Sequence, residues 1–257
     1  AAAQEVTGLK GQKIQAVLFD LGETLIMFGR LRVYDTFNRA ARLSYDYLKG
    51  LDQPVGCFRR YWLWNFFGIR LRLLISFLSG NDFDSLTTLR RYGQKKGFNL
   101  TEPQWEELNW RWYQPLAEQG RIEPQTQSAL KTLRQSGLKL GILSNTFVHG
   151  SSLDRHLKEA GLLDYFDLRL YSYQYSFRKP DRRIFLEAAR RIDAQPEQIV
   201  FVGDRMDKDV RGAQNAGMIP VLRHAYTNQK KDIPAEIFRI QSIKELPELI
   251  ESLNRKD

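Results

Sequence analysis

Asp20, Ser144, Lys179, Asp204 and Asp209 are the residues of this 257-residue sequence whose types and settings could do chemistry together. Three of them close short apolar runs: Ala16-Val17-Leu18-Phe19-Asp20, Gly141-Ile142-Leu143-Ser144-Asn145 and Val200-Phe201-Val202-Gly203-Asp204. Lys179 stands in Arg178-Lys179-Pro180-Asp181, just ahead of a helical pattern whose first turn would suit Pro180. A carboxylate can attack phosphorus and form an acyl-phosphate, which splits one hard displacement into two easier ones. A dianionic phosphate repels that attack, so a hard divalent cation held by Asp20 and Asp204 is needed to offset the charge. Lys179 and Ser144 would then hold the transferring oxygens, while Asp209 would hold either metal-bound water or Lys179. Asp207 is expected to point elsewhere on the same turn. Taken singly, each residue reads better as a cap or turn residue at a strand end, so the expectation rests on their convergence.

The elements that must bring them together can be read from hydrophobic pattern. Residues 14–19, 138–143, 199–202 and 219–222 are largely apolar runs of strand length, although Gln15 and Lys139 interrupt two of them. Such runs suit strands buried on both faces, as in a parallel sheet. A further strand at 167–172 has a more mixed pattern. Helical patterns at 123–136, 152–160, 182–191 and 207–216 alternate with these strands, which is the signature of a doubly wound, Rossmann-like α/β fold. Ligands bind at the carboxyl ends of the strands in such a sheet, where Asp20, Ser144 and Asp204 fall.

Residues 28–122 break the alternation, being rich in aromatics and amphipathic patterns without a convincing strand. Gly80, Gly97 and Pro103 mark helix ends there, and Thr101 with Gln104 resembles a capping box. The expected organisation is a discontinuous core, 1–28 plus 123–257, with an all-helical cap over 29–122. The segment Phe58-Arg59-Arg60-Tyr61-Trp62-Leu63-Trp64-Asn65-Phe66-Phe67 reads as buried cap core rather than a stacking platform for bases. Trp105, Trp110 and Trp112 read as packing residues. His149, His156 and His224 lack metal-site spacing and read as surface or loop histidines.

The four blocks, in this order, resemble the motifs of the haloacid dehalogenase superfamily: Asp20-Leu21-Gly22-Glu23-Thr24-Leu25, Leu143-Ser144-Asn145, Arg178-Lys179-Pro180-Asp181, and Val202-Gly203-Asp204 with Asp209. The stretch from Asp209 to Met218 is similar to the family's helix after the fourth motif. The resemblance implies an Mg²⁺-dependent phosphatase with Asp20 as nucleophile. It also implies the Gly22 main-chain carbonyl and Asp204 on Mg²⁺, with Asp209 beside them. Ser144, Asn145, Lys179 and Thr24 are then candidate substrate-binding groups, and a helical cap between the first and second motifs is a known family arrangement.

One departure stands out. Family phosphatases usually carry a second Asp two positions after the nucleophile, where it protonates the leaving oxygen and then activates water; here that position is Gly22. Losing a positioned general acid/base costs roughly 10²–10⁴ in rate. Glu23 is adjacent but is expected to face away. A catalytically weakened or inactive fold-mate that binds a phosphorylated ligand or a protein is the second reading. A small residue at this position also keeps a phosphonate-cleaving branch in view, although the insert has few lysines; a dehalogenating branch, whose members tend to carry an aromatic there, is the weaker alternative.

Composition sets the outer bounds. Hydrophobic content of 42% and charged content of 27% suit a globular protein. The net charge of +9 favours acidic partners: a phosphorylated metabolite, nucleic acid or an anionic membrane surface. Basic residues are scattered, without the runs of a nucleic-acid module, and no apolar stretch reaches transmembrane length uninterrupted. The single Cys57 forms no internal disulfide and is expected to be buried and inert, compatible with a reducing, cytoplasmic setting. No apolar leader opens the sequence, AAAQEVTGLKGQK. Oligomeric state is left open.

Overall fold

The computed structural model describes residues 13–255; the opening segment read for a leader, residues 1–12, lies outside the described residues. Six strands form one sheet in the order β3-β2-β1-β4-β5-β6, with every pair parallel. They are β1 (Ala16–Phe19), β2 (Lys139–Ser144), β3 (Leu168–Tyr171), β4 (Ile199–Gly203), β5 (Ile219–Arg223) and β6 (Phe238–Ile240). Side chains alternate between faces along a strand. Val17 and Phe19 of β1 accordingly join one buried cluster with Leu140, Ile142, Val200 and Val202, while Ala16 and Leu18 join another with Ile199 and Phe201. Both faces are covered, which is why the strands read as nearly continuous apolar runs.

Helices α5 (Thr126–Gln135), α6 (Gly150–Glu159) and α9 (Leu246–Asn254) contribute to the first cluster. Helix α7 (Arg182–Ile192) and the short α8 (Arg211–Asn215) cover the second. In α7, Ile184, Phe185, Ala188, Ala189 and Ile192 make the inward stripe, and the Asp181 carboxylate caps the first turn by accepting from Arg183 N–H at 2.9 Å. Pro180 therefore lies just before the cap residue, not in the first turn as the sequence suggested. The helical pattern at 207–216 begins as a π-turn over Met206–Val210 before becoming α8.

Between β1 and α5 lie α1 (Val33–Gly50), α2 (Phe58–Ser79), α3 (Ser85–Lys95) and α4 (Glu102–Ala117). Gly80 ends α2 in the left-handed region at φ 73°, where the lack of a side chain removes the steric cost. At the start of α4 the expected capping box forms: Gln104 Oε1 accepts from Thr101 N–H at 2.8 Å, and the Thr101 side chain accepts from the Gln104 backbone N–H. The two crossings between core and helices bond to each other. Met27 N–H donates to the Arg121 carbonyl and Arg121 N–H to the Met27 carbonyl, both at 2.8 Å.

Several expectations for this region change. Trp105 and Trp110 are buried as expected, but in the aromatic stretch of α2 only Tyr61 is buried, while Leu63, Trp64 and Phe67 are exposed. Apolar residues occur all round this surface helix and no wholly polar face marks its outer side, so its pattern could not tell inside from outside. Cys57 holds the N-cap position of α2 and is exposed rather than buried. His156 is buried, with its Nδ1 3.0 Å from the Tyr113 hydroxyl, so it is a satisfied interior histidine and not a surface one. Among the described residues no helix is long and apolar enough to cross a membrane.

Candidate active site

Register sets the site. Phe19 pairs with Ile142 on one side and Val202 on the other, which places Asp20, Ser144 and Asp204 along one rim at the carboxyl ends of β1, β2 and β4. Lys179 enters from the segment before α7, and Asp209 from the π-turn after β4. Lys179 Nζ lies 3.0 Å from Asp20 Oδ1 and 2.7 Å from Asp209 Oδ1, and the lysine is 2% exposed. Burial alone would pull its ammonium down; the carboxylates of Asp20 and Asp209 outweigh that and hold it above its ordinary value.

Asp204 is in the opposite position. Burial, reinforced by the negative charge of Asp20, pushes its carboxyl up to about 7, while a hydrogen bond donated by the Thr227 hydroxyl to Oδ2 works the other way. Asp209 is also raised, by burial first and by Asp20, although Lys179 and the Arg205 N–H on its Oδ2 at 2.9 Å pull it down. One carboxylate oxygen from each of Asp20, Asp204 and Asp209 falls within 4.8 Å of the others. Three carboxylates share one ammonium, so the cluster is short of positive charge. A hard, oxygen-seeking divalent cation fits that donor set and that deficit.

The close approach of Asp209 to the rim depends on Gly203. A Cβ there would come within 2.5 Å of the Asp209 side chain, closer than carbon atoms tolerate. Asp207 points away, paired with Arg205 at 3.1 Å.

Asn145 is occupied on both ends of its amide. Its Nδ2 donates to the Lys179 carbonyl at 2.8 Å and its Oδ1 accepts from Lys179 N–H at 2.9 Å. That geometry positions the lysine. Ser144 sits at the rim, 5% exposed. Thr24 is fully buried, and its Oγ1 has no protein partner among the described residues. Gly22 has open space: a Cβ built on it would meet only the edge of the Phe28 ring, at 3.9 Å. Glu23 does not reach back to replace the missing carboxylate. It sits at φ 57°, and its Oε1 accepts from Phe28 N–H at 2.8 Å and Gly29 N–H at 2.9 Å, closing the turn after Asp20.

Sequence reasoning missed two groups of supporting residues. In the loop after β5, Thr227 bonds Asp204 and the Asn228 amide donates to the Asp204 and Arg223 carbonyls at 2.9 and 2.8 Å. A polar Thr-Asn pair in the loop after β5, set off from the strand by His224, Ala225 and Tyr226, is the only signal that could have flagged them. On the other side, Arg178 Nη1 donates to Asp82 and, at 3.1 Å, to the Ser76 hydroxyl, while Ser172 donates to the second Asp82 oxygen. Phe83 stacks on Phe147 with centroids 4.9 Å apart. These contacts fasten the end of α2 and the loop after it onto the core beside Lys179.

The chain is similar to known proteins in sequence and in fold. The chain is 35% identical over 136 residues to glyceraldehyde 3-phosphate phosphatase of Methanopyrus kandleri, covering 51% of this chain and 57% of that protein. It is 32% identical over 131 residues to pyrimidine 5'-nucleotidase YjjG of Escherichia coli, covering 49% and 56%. The chain thus spans little more than half the length of these curated relatives. Among solved structures it is similar to a 2-haloacid dehalogenase from Pseudomonas syringae pv. Tomato at TM-score 0.59 and 26% identity, covering 93% and 99%. It is also similar to a phosphatase from Thermococcus onnurineus at TM-score 0.56 and 24% identity, covering 92% and 98%. The family of haloacid dehalogenase-like hydrolases matches residues 14–217, a span that holds every rim residue described above, and the chain belongs to that family.

Proposed function

We propose that this protein is a phosphatase acting on a phosphorylated small molecule through an aspartyl-phosphate on Asp20. The carrying observation is the buried Asp20–Lys179–Asp209 chain of contacts beside Asp204. Lys179 holds the Asp20 carboxylate oriented for attack on phosphorus. In the first half-reaction an Asp20 oxygen bonds to phosphorus as the bond to the leaving oxygen breaks; in the second, water displaces the aspartate and releases inorganic phosphate. Ser144 and Lys179 bind phosphoryl oxygens, Asn145 positions Lys179, and Thr24 supports the turn beside the nucleophile. Asp20, Asp204 and the Gly22 carbonyl would hold Mg²⁺, with Asp209 next to them; the ion supplies the charge neutralisation that lets one anion attack another. Relatives named as a phosphatase and as a nucleotidase support the phosphate reading over a dehalogenating or phosphonate-cleaving one. A cytoplasmic setting is part of this proposal, since a single exposed thiol suits a reducing compartment.

A weakened catalyst is the second reading, favoured by one observation: Gly22 offers no proton and Glu23 is committed to its turn. The test is phosphate release from a panel of aryl and alkyl esters with Mg²⁺, for wild type and Asp20→Asn. Turnover that depends on Mg²⁺ and disappears in Asp20→Asn is expected, because the amide cannot attack phosphorus. Unchanged turnover in the variant would remove the covalent mechanism, and no turnover of any ester by folded wild type would favour the binding protein.

A further inference from the structure

Helix α2 presents its greasy side to water. Nine of the thirteen exposed large hydrophobic residues belong to it. Tyr61 and Ser76, its buried residues, face the rest of the protein. Leu63, Phe67, Leu71, Leu74 and Leu78 recur at three- and four-residue intervals and share the opposite face. With 22 residues the helix is about 33 Å long, so this is a continuous stripe and not a scatter of single surface leucines.

The stripe has a definite electrostatic frame. Helix α2 contains Arg59, Arg60, Arg70 and Arg72 and no acidic residue. Arg72 turns inward, over the rings of Phe83 and Tyr92. Arg60 stands at the outer N-terminal end. Arg70 lies along one flank, over the Phe66 ring at 4.4 Å, and Lys96 lies along the other, its Nζ 4.4 Å from the Trp64 ring centre. Apolar side chains thus point outward between basic side chains that flank them.

We propose that the outer face of α2 docks on the surface of an anionic lipid bilayer, with the apolar stripe at the boundary of headgroups and acyl chains and Arg60, Arg70 and Lys96 on lipid phosphates. Charge complementarity decides the occupant. A second copy would bring the same acid-free helix against Arg60 and Arg70, burying like charges; an anionic bilayer supplies both the apolar layer and the counter-charge. The helix lies on the membrane and does not cross it. Its C-terminal end is tied to the core through Ser76, whose hydroxyl and carbonyl accept from Arg178 at 3.1 and 3.3 Å. Nothing in the proposal depends on turnover.

Vesicle flotation tests it, using vesicles of equimolar phosphatidylcholine and phosphatidylglycerol against phosphatidylcholine alone. Wild type is expected to float with the mixed vesicles and to be released by salt. The double variant Phe67→Glu with Leu74→Glu should lower the bound fraction by about tenfold or more, since each change puts a charge in the stripe. Both positions are exposed, so the variant's circular dichroism should match wild type. Arg60→Gln and Arg70→Gln should each cost about fivefold. Folded wild type that stays unbound, equal binding of the glutamate variant, or equal binding to neutral vesicles would each overturn the proposal. So would light scattering that finds a stable dimer dissolved by the same glutamates, which would give the face to a second copy.

Discussion

Proton supply is the residue-scale problem, and Gly22 is where it concentrates. An alkoxide of high pKa leaves phosphorus slowly unless it is protonated, whereas a phenolate needs far less help. With no carboxylate at position 22 and Glu23 locked into the turn, activated aryl esters should be favoured by a wide margin. The space around Gly22, and its backbone outside the left-handed region, permit the missing side chain. Gly22→Asp is expected to raise alkyl phosphate hydrolysis about tenfold or more, part of a general-acid contribution. Paired rates on one aryl and one alkyl ester decide this. A wild type that treats both alike has its proton from another group.

At the scale of elements, the bend after β4 brings the Asp209 carboxylate to the rim beside those of Asp20 and Asp204. Gly203 closes the strand and the π-turn returns Asp209 over it, leaving no room for a Cβ. Gly203→Ala must push Asp209 away from Lys179, so the expected outcome is a loss of ~10-fold or more in turnover together with destabilisation of ~1–3 kcal/mol, the usual cost of overpacking. Denaturant midpoints and kinetics on the same sample check both parts. Elements were legible from sequence where burial was two-sided: β1, β2, β4 and β5 are apolar because helices cover both faces. Strand β6 escaped, since a three-residue edge strand with exposed Arg239 gives no pattern. The rim residues were legible because each ends a strand or precedes a helix. Thr227, Asn228 and Asp82 were not, because their contacts span 23, 24 and 90 or more positions and depend on loop paths that no periodicity encodes. The outward face of α2 was misread for a similar reason, as aromatic content reports burial only on average.

For the molecule as a whole, the charge inventory of the rim makes stability depend on pH and cation together. The Asp204 carboxyl titrates near 4 in an unfolded chain and is pushed up to about 7 in the folded one. Between those values the folded protein binds a proton that the unfolded chain has released, so this group's contribution falls as pH rises through the window and stays low above it. Chelator-treated wild type should therefore melt lower at about pH 8 than at about pH 5, relative to Asp204→Asn, which lacks the titration. Added Mg²⁺ should recover the loss at the higher pH. Melting curves for both proteins that shift in parallel would place the penalty elsewhere.

The paired Met27 and Arg121 carry a consequence for descent and engineering. A segment whose two ends are already bonded to each other closes its own loop at the neck. Lengthening, shortening or exchanging what lies beyond adds little closure entropy to the core, since that cost grows only slowly with loop length. The sheet and its carboxylates can then stay in register while the helices above them change. A transplanted helical segment must match the neck, the Arg178–Asp82 contact and the α4 side chains that meet α6, among them Tyr113 on His156 and Asn109 on Ser152.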